Sequence, residues 1–330
     1  MASARPFLKW AGGKHRIVSE LLKIIDDDPP LRCQWKVGAG SRYHEPFLGS
    51  GAMFFGLKSN GIIATNHQSY LSDVNPALIN ALQVVSEEEQ LDDLVKVLRN
   101  LQEDYGNRGT VRKHATQEER NAGMYYEMRA RMNTLLADTK NIEKHNPVDF
   151  AALMIFLNKT CFNGLWRVNS EGLFNVPEGD YVKPRNICQE GILRECQRLL
   201  NRTKIESLGW KQAMSRKRVK EGDLVYLDPP YMPLKIGDNV FTSYFTKGFD
   251  FGDQRELAQV AASAAAKGVR VVASNHDTKG EPTVREIYNN AATDKGCKIE
   301  IIPIQVGRNI SCKGHGRVKV NEVLIFMGPE

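Results

Sequence analysis

The chain has 330 residues, 42% hydrophobic and 25% charged, enough for two average domains or one large α/β domain carrying insertions. No run of 18 apolar residues occurs and the opening Met1-Ala2-Ser3-Ala4-Arg5-Pro6 carries no apolar signal segment, which argues against membrane-spanning, secreted and lipid-anchored classes. The net charge of +6 tolerates a polyanionic partner without requiring one, and the six cysteines include no C-x-x-C pair, so they read as reduced thiols and not as a zinc or disulfide framework.

From Phe7 to about Asn80, glycine-rich turns alternate with short apolar runs. Phe7-Leu8-Lys9-Trp10-Ala11-Gly12-Gly13-Lys14 joins aromatics, glycines and two cations; alone it reads equally well as a glycine loop with solvated lysines. A strand at Tyr43 to Phe47 runs into Leu48-Gly49-Ser50-Gly51, where a helix opens at Ala52, and a second strand ends at Tyr70-Leu71-Ser72-Asp73. Glycines at a strand-to-helix turn let backbone approach a ligand closely. Asp73 follows Gly51 at roughly the 20-residue offset at which an acid accepts ribose hydroxyls, and no G-K-[ST] phosphate loop is present. The pair therefore points to a nucleoside-containing cofactor, although a plain tight turn would look the same.

Leu91, Leu94, Val95, Leu98 and Leu101 follow helical spacing. The polar stretch Tyr105 to His145 reads as an exposed helical insertion whose mixed charges form a solvated face. A turn-rich stretch runs from Asn158 to Pro184, after which apolar runs return at 203–207, 224–227, 269–273, 298–306 and 322–327. Such runs, separated by helical segments such as Gln254 to Lys267, predict parallel strands joined by crossover helices. The expected architecture is a doubly wound α/β sheet built from residues 1–80 and 200–330, interrupted between its second and third strands by a helical and loop-built subdomain at 81–199.

Leu224-Val225-Tyr226-Leu227-Asp228-Pro229-Pro230-Tyr231 is the most informative segment: an apolar strand halts at an acid, two prolines and an aromatic. Proline cannot continue the ladder, and the carboxyl ends of strands face the ligand crevice in open α/β sheets. The chemistry that suits this end is methylation of a nucleobase exocyclic amine, a poor nucleophile because its lone pair is delocalised into the ring. The Asp228 carboxylate and the Pro229 carbonyl can accept its two N–H bonds and aim the lone pair at a sulfonium methyl. Tyr231 would stack on a base flipped out of the duplex.

Phe7 to Lys14, EPFLGSG (Glu45 to Gly51), SDVNP (Ser72 to Pro76), FNGLWRVNSEGLFNVPEGDY (Phe162 to Tyr181), DPPY (Asp228 to Tyr231) and SNHDT (Ser274 to Thr278) together resemble the adenine-specific DNA methyltransferases of the Dam type, in that family's order and over most of the chain. The resemblance implies a Rossmann-like methyltransferase sheet with an inserted DNA-recognition subdomain, and S-adenosyl-L-methionine as cofactor. Trp10 and Lys14 would line its pocket with Glu45, Pro46, Phe47, Gly49 and Gly51; Asp73 would hold the ribose and Asp228 the methionine end. Asp228, Pro229, Pro230 and Tyr231 would form the catalytic set. Lys9, Phe162, Asn163, Leu165 and Arg167 would read DNA, the last as a bidentate guanine contact. Lys159 would meet phosphate, and Asn175 and Pro177 match positions at the DNA edge.

The partner so implied is double-stranded DNA, most plausibly at GATC, with a monomeric protein, no metal and no membrane, in the cytoplasm of a bacterium or a phage-infected one. Phe162 stands where tyrosine is common and Asp180 where a basic residue often meets phosphate. Two other readings use the same residues: methylation of cytosine's exocyclic amine, and a catalytically idle DNA-binding scaffold. His276 reads as a structural hydrogen-bonding residue and Lys211 to Lys220 as a solvated loop, while Arg308, Lys313, Arg317 and Lys319 flank a glycine-rich hairpin able to track phosphate.

Overall fold

The computed structural model describes residues 5–10, 15–26, 41–64, 67–108, 123–138, 145–181, 186–231, 249–278, 282–307 and 319–330. They form two compact units: 5–10 with 75–201, and 15–74 with 202–231 and 249–330. The boundary falls at 74/75, where the sequence suggested 80/81, and residues 5–10 group with the inserted unit.

The second unit is built on a seven-stranded sheet. Its strands are β1 (Tyr43–Glu45), β2 (Ser69–Asp73), β3 (Thr203–Ser207), β4 (Leu224–Leu227), β5 (Arg270–His276), β6 (Lys298–Gly307) and β7 (Lys319–Gly328), in the order β3-β2-β1-β4-β5-β7-β6. The first five run parallel. β7 lies antiparallel to both β5 and β6, which departs from the all-parallel expectation. A parallel crossover needs a dozen or more residues and a helix, whereas only residues 308–318 separate β6 from β7. β6 ends as an edge strand, the position where its Pro303 costs no ladder bond.

Helices α1 (His15–Asp26) and α2 (Ala52–Ser59) pack on each other, and Phe54 of α2 rests on Tyr43 of β1 at 6.1 Å between centroids. Gly56 makes the helix contact possible, since a Cβ there would stand 2.6 Å from Val18 Cγ1. The chain continues after β3 through the short α8 (Trp210–Ala213); α9 (Phe251–Ala265) and α10 (Val284–Lys295) follow β4 and β5. The inward residues Val225, Leu227, Val271, Ala273, Val323 and Ile325 meet the alanine-rich face of α9 and Ile287, Tyr288 and Ala291 of α10. Period-two alternation then turns Tyr226, Ser274 and Glu322 to the opposite face.

The first unit is helical: α3 (Pro76–Ser86), α4 (Glu88–Arg108), α5 (Met124–Ala137), α6 (Pro147–Thr160) and α7 (Glu190–Leu199). α3 and α6 start alike, with Asn75 or Asn146 accepting two backbone N–H groups and proline in the first turn. α6 is buried along nearly its whole length, and α3, α4 and α5 pack around it. The expectation of a solvated face over 105–145 is therefore corrected for its described part. Tyr105, Tyr125, Met128 and Met132 are buried; of the charges that suggested exposure, Glu127 and Arg131 are exposed on α5, Arg129 is half-buried over the Tyr126 ring, and Glu118, Glu119 and Arg120 lie outside the described residues.

At the amino end of β4 the sheet carries a charged hub. Asp223 accepts from Arg42 Nη2 (2.7 Å), Arg42 Nε (3.1 Å), the Lys220 backbone N–H (2.8 Å) and His44 Nε2 (3.0 Å). Burial by itself would raise its carboxyl, but the bonds from His44 and Arg42 outweigh that and hold it at about 2. With its folded pKa below the unfolded value near 3.8, Asp223 stabilises the fold above pH 4 and loses that contribution as the pH falls to about 2. Asp223→Asn should cost about 2–4 kcal/mol at neutral pH and abolish the acid-dependent loss between about pH 4 and 2. Urea unfolding across that range tests both, and an unchanged midpoint at neutral pH refutes the hub.

Candidate active site

In the second unit the carboxyl ends of β1, β2 and β4 bring three acids together where the strand order reverses, the place at which open α/β sheets bind ligands. After β1 the chain turns through Gly49 and Gly51, both with positive φ (51° and 74°), a conformation that penalises residues with a Cβ. Gly51 caps α2 without a side chain, and a Cβ on it would meet the Phe55 ring at 3.0 Å. The turn is tied to the end of β2 by two backbone donors: Gly49 N–H to Asp73 Oδ2 (3.0 Å) and Leu48 N–H to Ser72 O (3.0 Å). The glycine turn and the acid 22 residues beyond it are thus one assembly.

Glu45, expected near the cofactor, is 2% exposed and accepts the Tyr43 hydroxyl at 2.7 Å. Burial pushes its carboxyl up to about 8, and the nearby negative charges of Asp228 and Asp73 add to the effect. Pro46 is buried beside it. Phe47 is half-buried in an aromatic cluster with Trp210 (6.5 Å) and Phe249 (5.9 Å, edge-on). Neither Trp210 nor Phe249 stood out in the sequence, because neither belongs to a motif.

Asp228 follows β4 directly, and its Oδ1 accepts the Ser274 hydroxyl at 2.8 Å. Ser274 Oγ lies 2.9 Å from the Tyr226 hydroxyl. Pro229 is buried, while Pro230 and Tyr231 are half-buried. The Tyr231 hydroxyl donates to Glu322 Oε2 (2.9 Å), and its ring meets His276 edge-on at 4.6 Å. His276 and Glu322 are register partners on β5 and β7 and both are 5% exposed. Ser274 opens the SNHDT segment and Tyr226 precedes Asp228 in its strand, but neither stands out in the sequence as a site residue, nor does Glu322; the strand register brings all three to the motif. The basic run divides: Lys211 meets Glu256 at 2.6 Å, Arg218 Nη2 meets Glu206 at 3.0 Å, and 216–220 leads into the amino end of β4, the end opposite Asp228.

In the first unit, residues 161–178 form a narrow ribbon with antiparallel bridges Cys161–Glu178 and Val168–Phe174. Phe162 is 42% exposed, Asn163 and Pro177 are exposed, and Asn163 takes a left-handed φ of 56°. Arg167 Nε donates to Asn175 Oδ1 (2.7 Å) and its Nη2 to the Asn175 carbonyl (3.3 Å), so two of the expected DNA residues hold each other. Leu165 is turned inward at 7% exposure, giving packing and not contact surface. Lys159 donates to Gln189 Oε1 at 2.8 Å. Asn158, buried and unremarked in the sequence, binds Lys9 N–H and Lys9 O (2.9 and 2.8 Å) and the Gly164 carbonyl (3.1 Å), fixing exposed Lys9 beside the ribbon. α5 supports the ribbon from behind: Tyr125 donates to Val176 O (2.8 Å), and the Asn133 side chain pairs with the Phe174 backbone at 2.8 and 3.1 Å. Trp10, half-buried, belongs to this unit; Lys14 and the hairpin residues 308–318 lie outside the described residues.

Among the described residues, no group of three or more His, Cys, Asp or Glu side chains can hold a metal ion, and no helix is long and apolar enough to cross a membrane. Because the folded pKa of Glu45, about 8, lies above its ordinary 4.5, this acid favours the native state fully below pH 4.5 and loses that advantage as the pH rises through 8. Glu45→Gln cannot ionise, so its stability relative to the wild-type chain should climb by about 1.4 kcal/mol per pH unit across that window. Urea unfolding of both proteins at several pH values measures this, and parallel profiles refute it.

Residues 10–302 match the D12 class N6 adenine-specific DNA methyltransferase family. A DNA adenine methylase of Serratia marcescens is 32% identical over 326 residues, 98% of each chain. The type II methyltransferase M.MjaIII of Methanocaldococcus jannaschii is 35% identical over 271 residues, 82% of this chain and 84% of its own. The type II methyltransferase M1.LlaDCHI of Lactococcus lactis subsp. cremoris is 28% identical over 322 residues, 97% of this chain and 94% of its own. With an acid, two prolines and a tyrosine at the carboxyl end of β4 and a family match across most of its length, the chain belongs to the D12 class of N6 adenine-specific DNA methyltransferases.

Proposed function

We propose that the protein methylates the exocyclic amine of adenine within GATC in duplex DNA, with S-adenosyl-L-methionine as donor, Asp228 and the Pro229 carbonyl as amine acceptors and the 161–178 ribbon as DNA reader. The observation that carries the reading is Asp228 at the carboxyl end of β4, one oxygen held by Ser274. The residues fit the cofactor: the charges that raise Glu45 are those of the acids Asp228 and Asp73, an environment suited to a cationic sulfonium. The glycine turn is tied to Asp73 through the Gly49 amide, which sets the acid beside the turn. Asp73 would hold the ribose hydroxyls, with Glu45, Phe47, Gly49 and Gly51 around the remainder. When bound, the cofactor supplies an electrophilic methyl group.

The protein's own part is alignment and charge. Asp228 and Pro229 would draw the two N–H bonds of the amine toward acceptors, so that the nitrogen lone pair leaves the ring plane. A carboxylate beside the nitrogen also stabilises the positive charge that develops there as its fourth bond forms. Tyr231, anchored through its hydroxyl, presents a ring of fixed orientation on which a flipped base can stack. In the ribbon, Asn175 clamps Arg167 and so preorients its guanidinium for a guanine edge, while exposed Phe162 supplies an apolar wedge. The bacterial and archaeal relatives named above support a cytoplasmic location.

Incubation with methyl-labelled cofactor and a GATC-containing duplex should place label on adenine; label on cytosine, or on adenine outside GATC, overturns the corresponding part of the reading. Asp228→Ala should abolish transfer with an unchanged circular dichroism spectrum, and retained turnover would remove Asp228 from the amine. Arg167→Ala should relax discrimination at one guanine by roughly 1–3 kcal/mol. An equal loss on every DNA sequence would make Arg167 a phosphate contact instead.

A further inference from the structure

The register of the central strands does more than line up their ends. β4 and β5 run parallel with Tyr226 opposite Val272 and Leu227 opposite Ala273, so the next position sets Asp228 beside Ser274. Period-two alternation puts Tyr226, Asp228 and Ser274 on one face, away from the apolar layer of α9 and α10 that takes Val225, Leu227, Val271 and Ala273. There Tyr226 and Ser274, both at 0% exposure, lie in line with Asp228: Tyr226 hydroxyl to Ser274 Oγ at 2.9 Å, and Ser274 Oγ to Asp228 Oδ1 at 2.8 Å.

The donor directions follow from chemistry. A carboxylate only accepts, so the Ser274 proton points to Asp228, and Ser274 Oγ, which keeps two lone pairs, accepts the Tyr226 proton on one of them. Burial holds the Tyr226 phenol well above its ordinary value, so it remains a donor throughout the working pH range.

We propose that Tyr226 and Ser274 are positioning residues that hold the Asp228 carboxylate, through its Oδ1, in the one rotamer from which it receives the substrate amine. The proposal rests on Asp228 being the amine acceptor. Neither residue touches substrate; each acts by removing rotational freedom from the group that does. A chain of hydroxyls suits this task better than a cation would, because a lysine or arginine on Oδ1 would draw off the negative charge that stabilises the developing ammonium.

Single-turnover methyl transfer, cofactor and DNA dissociation constants, and melting temperature should be measured for Ser274→Ala, Ser274→Thr, Tyr226→Phe, the Ser274→Ala/Tyr226→Phe double variant and Asp228→Ala. Ser274→Ala should slow the transfer step about 10- to 100-fold while both dissociation constants stay within about two-fold of wild type, and Ser274→Thr, which keeps the hydroxyl, should recover most of the rate. Tyr226→Phe removes a single oxygen without disturbing ring packing, so it tests the chain even if Ser274→Ala folds poorly. It should slow transfer by a few-fold in the wild-type background and have no further effect in the Ser274→Ala background. A wild-type transfer rate in Ser274→Ala, a loss confined to binding, or a Tyr226→Phe effect that persists in full without the Ser274 hydroxyl each overturns the proposal. If Asp228→Ala itself still transfers methyl, the acceptor reading fails; if it is silent while Ser274→Ala is normal, only the positioning chain fails.

Discussion

The sheet unit is organised by the cost of keeping acids out of water at one end of a parallel sheet. Glu45, Asp73 and Asp228 converge where β1, β2 and β4 end. Each accepts from a neutral donor: Glu45 from the Tyr43 hydroxyl, Asp73 from the Gly49 amide, Asp228 from the Ser274 hydroxyl. Neutral donors satisfy the oxygens without cancelling the field. Glu45, the most deeply buried of the three, answers by holding its proton up to a pH of about 8. The remaining negative potential is the property a cationic donor and an amine gaining positive charge both require.

The opposite end of the same strands is managed in the reverse way. Asp223 is wrapped by Arg42, His44 and the Lys220 amide, and its carboxyl falls to about 2. Arg270 reaches Gly222 O (2.7 Å) and Ser41 Oγ (3.0 Å) nearby. Cations therefore gather where they stabilise the fold, and acids held by neutral donors gather where chemistry is expected.

The helical unit solves a different problem, the support of a short ribbon that presents its residues outward. A two-bridge ribbon is too small to be stable alone. α5 and buried Asn158 supply what the ribbon lacks, binding its backbone at Val176, Phe174 and Gly164. The described part of the 105–145 stretch, polar in composition, is therefore not a solvated face: Tyr105 packs on Phe156 of α6, Tyr125 binds Val176 O of the ribbon, and Met128 and Met132 are buried. Arg167 and Asn175 show the same economy, since the residue holding the guanidinium is itself at the edge expected to meet DNA.

Strand positions, the interruption between β2 and β3, the glycine turn, Asp73 and the Asp-Pro-Pro-Tyr end were all legible in the residues, because each depends on local chemistry: glycine at positive φ, proline ending a ladder, apolar runs bounded by turns. The antiparallel pair β6 and β7 was not legible, since an apolar strand reads the same in either direction and only its partner decides. Nor were Ser274, Tyr226, Glu322 and Asn158, polar residues whose meaning lies in what faces them across the sheet or the unit. Leu165 marks the same limit from the other side, as a motif residue whose side chain turned to packing. Sequence alone determined which groups could do the chemistry, because reactivity belongs to the side chain. Tertiary structure alone decided how those groups are held, because register and face are set by pairing between segments far apart in the chain.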